Sequence, residues 1–189
     1  RQEGAILIDG VERVISSPDE AVAFGMGLMA QDRRDCLIGD QSICDNIAIA
    51  SLEKIVSHGV LDVGAGRQRA LSQMEALHIK AASIDAEVRT LSGGNQQKVQ
   101  IARWLAADTR ILIMIDPTRG VDVGARHEIK NIWSDLATRG HAILLASTDA
   151  EELVDACDRV VVMSNGRAIG ELQGTNLTEK NLLRMATDG

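Results

Sequence analysis

Two stretches decide the fold of this chain: LSGGNQQK, from Leu91 to Lys98, and ILIMIDPTRGVD, from Ile111 to Asp122. The first is a small polar turn, with two adjacent glycines, that leads into a helix. The second is an aliphatic strand that ends in a carboxylate at Asp116. Free N–H groups and a partial positive charge make the N-terminus of a helix suited to anions. A helix tip and a strand end held on one sheet therefore predict a place for phosphate.

Strands and helices alternate in the residues that follow Asp108. We predict strands at 111–115, 142–146, 160–163 and 168–172, and helices at 124–138, 149–157 and 178–186. The pair Asn165-Gly166 is a strong hairpin signal between the last two strands, and Thr178 is the expected cap of the last helix. Because the strands are apolar throughout, the alternation predicts a parallel sheet covered on both faces.

The earlier part of the chain has two different patterns. Residues 1–41 indicate a strand at 5–9, a helix at 18–24, a strand at 26–30 and a loop at 31–41. From 42 to 108 the pattern is helical, at 42–52, 66–79 and 95–107, and we predict no strand there. The predicted organisation is a partial α/β core at 1–41, a helical subdomain at 42–108 that carries the motif at 91–98, and the rest of the α/β core at 109–189.

Composition argues against several classes of function. Only Phe24, Trp104 and Trp133 are aromatic, which disfavours stacking on bases or on sugar rings. The net charge of −7 disfavours nucleic acid and anionic lipid as partners. No apolar run approaches the roughly 18 residues of a membrane-spanning helix, and the spacing of the cysteines predicts no zinc site.

The motif residues have ordinary interpretations beside functional ones. Ser92 can cap the helix that follows it and also offer a hydroxyl group. Gly93 and Gly94 let the backbone approach a ligand closely. Asp122 can cap the helix that follows it.

Two further stretches are interpreted as structural. Glu151-Glu152 is expected to be a solvated first turn of a helix. The phosphate loop G-x-x-x-x-G-K-[ST] does not occur in these residues,. The run GAGR at 64–67 echoes part of it, but we predict a helix start there because no predicted strand precedes it.

A family resemblance rests on the glycine turn and on four runs: Asn95–Val99, Ala102–Leu105, Asp116–Ala125 and Cys157–Met163. With them the chain resembles the nucleotide-binding domain of ABC transporters. It is most similar to the second (C-terminal) ATP-binding half of the tandem-domain subunits of monosaccharide importers of the ribose, xylose and galactoside type. The resemblance extends from about Gly4 to the C-terminus.

The resemblance implies a fold and a missing part. The implied fold is a P-loop NTPase-like, RecA-like parallel sheet with an inserted α-helical subdomain. In the family, the Walker A segment with its phosphate loop and a central strand precedes the region that matches Gly4–Asp9. The resemblance therefore implies an N-terminally incomplete domain.

The resemblance also implies roles for individual residues. Gln31 matches the Q-loop position, which in the family senses magnesium and contacts the membrane partner. Asp122 matches the D-loop, which in the family crosses the dimer interface. The signature motif, which in the family faces the nucleotide of a partner half, implies cofactor contacts for Ser92, Gly93, Gly94 and Gln96.

Three departures from the family pattern bear on hydrolysis. Aligned on Pro117, the family's magnesium-ordering Asp falls on Ile115, its catalytic Glu on Asp116, and its switch His on Thr148. An isoleucine cannot hold a metal-bound water, and an aspartate reaches roughly 1 Å less than a glutamate. In an alternative register Asp116 takes the Walker B role, and no acid follows it. In either register this half has lost hydrolytic parts.

The implied function is that of the signature-donating, ATP-binding half of a carbohydrate ABC importer. ATP with Mg²⁺ would be held mainly by a Walker A-bearing partner half. The other implied partners are transmembrane permease subunits and, indirectly, a periplasmic sugar-binding protein, with no nucleic acid. The implied location is peripheral, on the cytoplasmic face of the membrane. We expect the isolated chain to be an inactive ATPase and to hold no metal of its own. The alternatives are a catalytically inert, truncated remnant and a non-transport ABC ATPase.

Overall fold

The computed structural model describes residues 4–57 and 59–188. Residues 1–3, 58 and 189 lie outside the described residues. They fall in the predicted regions 1–41, 42–108 and 109–189, respectively. The strands are β1 (Ile6–Ile8), β2 (Val11–Arg13), β3 (Met26–Met29), β4 (Val56–Ser57), β5 (Val60–Leu61), β6 (Ile111–Ile115), β7 (Ala142–Ala146), β8 (Arg159–Ser164) and β9 (Arg167–Gln173). The helices are α1 (Pro18–Ala23), α2 (Arg33–Cys36), α3 (Ile43–Ala48), α4 (Val63–Ala76), α5 (Gly93–Ala106), α6 (Val123–Thr138), α7 (Ala150–Ala156) and α8 (Glu179–Asp188).

A parallel sheet in the order β3-β6-β7 lies at the centre of the fold. One of its faces is buried, because Met29, Leu112 and Met114 are fully shielded from solvent. Side chains of α5 and α6, including Ile101 and Ile129, pack in the same core cluster. The predicted parallel strands and the helices that connect them are therefore confirmed.

The opposite face of this sheet is exposed. Leu28, Ile113 and Leu144 lie side by side across the three strands, and we call them the Leu28 row. Leu28 is 50% exposed and Leu144 is 61% exposed. The prediction that both faces are covered is wrong for the described residues. The strand order follows the chain order, so right-handed crossovers place the connecting helices on one face only.

A second, smaller core lies at the C-terminal end of the chain. Strands β8 and β9 form an antiparallel hairpin around Asn165-Gly166, where both residues have positive φ, as the sequence predicts. Val160, Val162, Leu172 and Leu182 of this hairpin and of α8 form its buried cluster. Among the described residues, the edge of β7 away from β6 pairs with no strand.

Two local predictions need correction. A short antiparallel hairpin, β4 with β5, lies in the region predicted to have no strand, and β5 precedes α4, the helix that contains GAGR. Each strand is only two residues long. A strand of this length is too short to show the alternating apolar and polar pattern by which strands are predicted. The predicted loop at 31–41 contains the single turn α2. No helix in the described ranges is long and apolar enough to cross a membrane.

Candidate functional site

Gln31, Asp116 and Thr148 meet at the carboxyl edge of the sheet. Gln31 Nε2 donates a hydrogen bond to Asp116 Oδ2 at 2.7 Å, and the backbone N–H of Thr148 donates to Asp116 Oδ1 at 3.2 Å. The carboxyl ends of parallel strands lie at one edge, so the residues that follow β3, β6 and β7 come together there. The residue at the Q-loop position and those at the catalytic Glu and switch His positions of the resemblance are thus neighbours in space.

Asp116 occupies an uncommon backbone conformation. Its φ is 42°, in the left-handed region that aspartate tolerates better than most residues. Its N–H donates to the carbonyl of Ala146 at 2.8 Å, and its own carbonyl accepts from the N–H of Arg119 at 3.1 Å. These bonds continue the β6–β7 pairing into a tight turn and fix the direction of the carboxylate.

Glu152 lies directly behind this turn and is buried. It is 3% exposed, and Thr118, which is 4% exposed, donates its hydroxyl to Glu152 Oε1 at 2.6 Å. The prediction of a solvated first turn is therefore wrong for Glu152, although Glu151 is exposed. Sequence reasoning missed this contact because its partners are 34 residues apart. The bond joins the turn after β6 to the start of α7.

Ser92 caps α5 as the sequence predicts. Its Oγ accepts from the backbone N–H of Asn95 at 3.4 Å and from the Asn95 side chain at 3.0 Å. Ser92 is exposed, Gly93 is half-buried and Gly94 is buried, so the tip of α5 is open to solvent at Ser92. Gln96 directs its amide group inward, to the carbonyls of Val88 and Leu91 at 3.3 and 3.2 Å. Those contacts order the turn before the helix.

The two glycines of the motif face other parts of the protein. A Cβ added at Gly94 would lie 2.5 Å from the Cβ of Ala125, on α6. A Cβ added at Gly93 would lie 3.3 Å from the guanidinium group of Arg33. The sequence suggested that these glycines permit a close approach of ligand, and the structure adds an internal reason: side chains here would collide with α6 and press on Arg33.

Arg33 connects three segments of the site, and sequence reasoning missed it. Its Nη1 donates to the carbonyl of Arg119 at 3.3 Å, and its guanidinium lies against Gly93 and Gly120. Gly120 has a positive φ of 69°, which favours glycine. Arg33 therefore brings the residues after Gln31, the tip of α5 and the turn after Asp116 into contact. A polar pair of consecutive arginines in a loop gave no sign of this.

Asp122 caps α6, which confirms that part of its interpretation. Its Oδ1 accepts from the N–H of Ala125 at 3.0 Å. Arg126, one turn into α6, forms an ion pair with Asp149 at 3.6 Å, and Asp149 caps α7 by accepting from the backbone N–H of Glu152 at 3.1 Å. The starts of α6 and α7 thus lie together near the site.

A polar network joins the segment after Gln31 to the helical region. Arg103 donates to the backbone carbonyl of Asn46 at 2.7 Å and to its side-chain oxygen at 2.9 Å, and also to the carbonyl of Cys36. Asn46, which is fully buried, accepts from the N–H of Ile38 at 2.9 Å and donates to the Ile38 carbonyl at 2.9 Å. Burial lowers the pKa of Arg103. These contacts hold residues 36–46 against α5.

Lys98 joins α5 to α6 and gives the fold a pH dependence. Its buried Nζ contacts Glu128 Oε2 at 2.7 Å, and this hydrogen bond holds the pKa of Glu128 below its ordinary value of 4.5. A carboxylate with a lowered pKa stabilises the fold above its ordinary pKa, and that contribution is lost as the pH falls through the lowered value.

We expect Lys98→Met to remove this acid-sensitive contribution. The difference in free energy of unfolding between the wild type and Lys98→Met will be larger at pH 7 than at pH 3. Urea unfolding at the two pH values measures it, with Lys180→Met, a change at an exposed position of α8, as the control. An equal difference at both pH values would contradict the conclusion that Lys98 lowers the pKa of Glu128.

Few side chains of the metal-binding types lie together in the described part of the chain. No group of three or more His, Cys, Asp or Glu side chains in the described ranges could hold a metal ion. Both oxygens of Asp116 accept hydrogen bonds from N–H groups, and Ile115 before it offers no side-chain ligand atom.

Comparison with solved structures identifies the fold. A nucleotide-free ATP-binding cassette from an ABC transporter aligns with a TM-score of 0.79 and 22% identity, covering 97% of this chain and 74% of the other. The dimeric, post-hydrolysis state of a cassette bound to ADP and Pi aligns with a TM-score of 0.74 and 22% identity, covering 91% of this chain and 74% of the other. The fold is therefore that of an ATP-binding cassette, a P-loop NTPase fold, as the resemblance implies.

Sequence comparison gives the family. The sequence model of the ABC transporter family matches residues 1–119. The chain belongs to that family. A putative ribose/galactose/methyl galactoside import ATP-binding protein of Rhizobium meliloti is 45% identical over 97% of this chain. The ribose import ATP-binding protein RbsA of Yersinia pestis is 43% identical over 97%. The chain spans 37% and 36% of the lengths of these two relatives.

Proposed function

We propose that this chain is the signature-donating half of an ATP-driven carbohydrate importer. The observation that carries the proposal is the solvent-exposed tip of α5, where Ser92 caps an intact LSGGNQQK motif. The relatives named for ribose and galactose import support carbohydrate as the transported class.

In this proposal the tip of α5 closes on ATP that a partner half holds. Free N–H groups at the start of α5 would meet the terminal phosphate, and such preorganised donors stabilise developing negative charge. The partner half would supply the phosphate loop and most of the contacts to Mg²⁺, which when bound neutralises phosphate charge. Gly93, Gly94, Gln96 and Asp122 would serve the tip by ordering it, through the packing and capping contacts described above.

The proposed assembly places the chain at a membrane. Transmembrane permease subunits would contact the segment after Gln31, and a periplasmic sugar-binding protein would act through them. The chain would be peripheral, on the cytoplasmic face. Arg33 and the Arg103–Asn46 contacts support such coupling, because they connect that segment to the tip of α5 and to the helical region.

The chain alone is proposed to be inactive in hydrolysis. Asp116 is one methylene shorter than a glutamate, its carboxylate is occupied by two N–H donors, and Thr148 offers no imidazole. A general base must reach the proton that it abstracts. These residues are proposed to retain a structural part in an ATP-binding domain that depends on its partner for chemistry.

Trans-complementation tests the donor role. We expect a mixture of this chain with a half that bears the G-x-x-x-x-G-K-[ST] loop to hydrolyse ATP. Ser92→Arg should lower that rate about 10²-fold, because the bulky side chain would hold the N–H groups of the tip away from the phosphate, and misplacement of about 1 Å can cost that much. Ser134→Arg, at an exposed position of α6, is the control. Unchanged activity with Ser92→Arg would refute the donor role.

Titration with ATP tests the dependence on a partner. The isolated chain should bind ATP more weakly than about 100 μM, roughly −5.5 kcal/mol. Tighter binding would contradict a role in which the partner holds the nucleotide. An inert remnant, one of the two alternatives, would bind weakly and also fail to support hydrolysis in the mixture.

A further inference from the structure

We propose that Asp116 is a positioning residue, the centre of a carboxylate clasp formed by Gln31, Asp116 and Thr148. The clasp holds the segment after β3 against the sheet through groups of this chain alone, so the chain itself sets the position of Gln31. This deepens the proposed function and rests on it for its consequence in transport. The clasp itself rests on the geometry of the described residues.

The hydrogen bonds of Asp116 come from two different strand ends. Oδ2 accepts from the side chain of Gln31, after β3, and Oδ1 accepts from the backbone of Thr148, after β7. Asp116 itself follows β6, the strand between them. One carboxylate therefore joins the ends of all three strands of the sheet.

The segment from 30 to 38 is held by the chain at further points. The N–H of Ala30 donates to Cys36 Sγ at 3.3 Å, the N–H of Ile38 donates to Asn46 at 2.9 Å, and Arg33 donates to the carbonyl of Arg119. Gln31 provides the contact to Asp116. The whole segment is thus ordered by contacts within the chain.

The residues at the family's catalytic Glu and switch His positions, Asp116 and Thr148, are both compatible with the clasp. Asp116 has the left-handed φ of 42°, from which a short side chain reaches both donors. Thr148 contributes its backbone N–H, so the clasp does not depend on which side chain stands there. A hydrolytic centre would depend on both side chains, whereas the clasp depends on a short acceptor at 116 and a donor at 31.

Moving the negative charge from position 116 to position 31 tests whether Asp116 acts as a hydrogen-bond acceptor in the clasp or as a general base. Gln31→Glu places a second carboxylate beside Asp116, and like charges at this distance repel. Adding Asp116→Asn restores complementarity, because the asparagine amide can donate to the new glutamate while its carbonyl oxygen still accepts from Thr148. Asp116→Asn alone also keeps the clasp, since the Gln31 amide can turn to accept.

Hydrogen exchange of the chain alone, without nucleotide, is the measurement. We expect Gln31→Glu to raise the exchange rate of residues 31–38 about tenfold, the effect of losing about 1.4 kcal/mol of local stability, while α5 is unchanged. The double variant should return the rate to that of the wild type, and Gln68→Glu, at an exposed position of α4, should have no effect.

Three results would overturn the clasp. The first is unchanged exchange at 31–38 in Gln31→Glu. The second is a double variant no better than Gln31→Glu alone. The third is wild-type protection that appears only when MgATP is added. Because none of these measurements uses the partner half, failure of the clasp and failure of the donor role are told apart.

Discussion

Asn46→Leu is expected to lower the free energy of unfolding by about 3 kcal/mol or more. The change removes the acceptor of the Ile38 N–H and one acceptor of Arg103, and it leaves buried donors and carbonyls without partners. Each unsatisfied buried polar group costs about 1–3 kcal/mol, and more when the group is charged. Urea unfolding monitored by circular dichroism gives the value directly.

Two matched variants make the Asn46 experiment specific. Asn131→Leu changes an exposed residue of α6 and should shift stability by no more than about 0.5 kcal/mol. Asn46→Asp keeps the acceptor for Ile38 and Arg103, loses the donor to the carbonyls and adds a negative charge beside the Arg103 guanidinium. Its cost should therefore be lower than that of Asn46→Leu. If Asn46→Leu behaves like Asn131→Leu, the network does not hold residues 36–46 against α5.

Gly94→Ala is expected to destabilise the chain by about 1–2 kcal/mol, because overpacking of this kind typically costs about 1–3 kcal/mol. The new Cβ would lie 2.5 Å from that of Ala125. Alanine favours a helix by up to about 1 kcal/mol over glycine, which offsets part of the collision. Thermal and urea unfolding measure the net change.

Ala125 and Gly124 supply the controls for Gly94. Ala125→Gly in the Gly94→Ala background removes the collision, so the two changes together should cost less than the sum of the single changes. Gly124→Ala adds a Cβ 3.4 Å from Asp122 Oδ1, an ordinary contact, and should stabilise α6. Additive effects of the Gly94 and Ala125 changes would show that α5 and α6 do not depend on this contact.

The parts of the fold that the sequence predicts are those with local causes. The aliphatic runs of β6 and β7, the caps at Ser92, Asp122 and Asp149, and the hairpin at Asn165-Gly166 each follow from neighbouring residues. The meeting of strand ends was also predictable in outline, because parallel strands share an edge. The same two stretches carry part of the resemblance to the ABC transporter family, which the sequence comparisons confirm.

The parts that the sequence did not predict depend on contacts between distant residues. Glu152 looks like a solvated acid until Thr118 is known to face it. Arg33 looks like part of a loop until the tip of α5 is packed beside it. The exposed sheet face could not be predicted from apolar strands alone. An apolar sequence shows that a strand can be buried on both faces, but it does not show which elements cover each face.

The open face of the central sheet has a consequence for the behaviour of the described residues in solution. The Leu28 row is an apolar strip on this face. The outer edge of β7 pairs with no strand in the described part of the chain. Unpaired edges and contiguous apolar strips are where polypeptides stick to one another. For the described residues taken alone, self-association is therefore expected to begin at this face of the sheet.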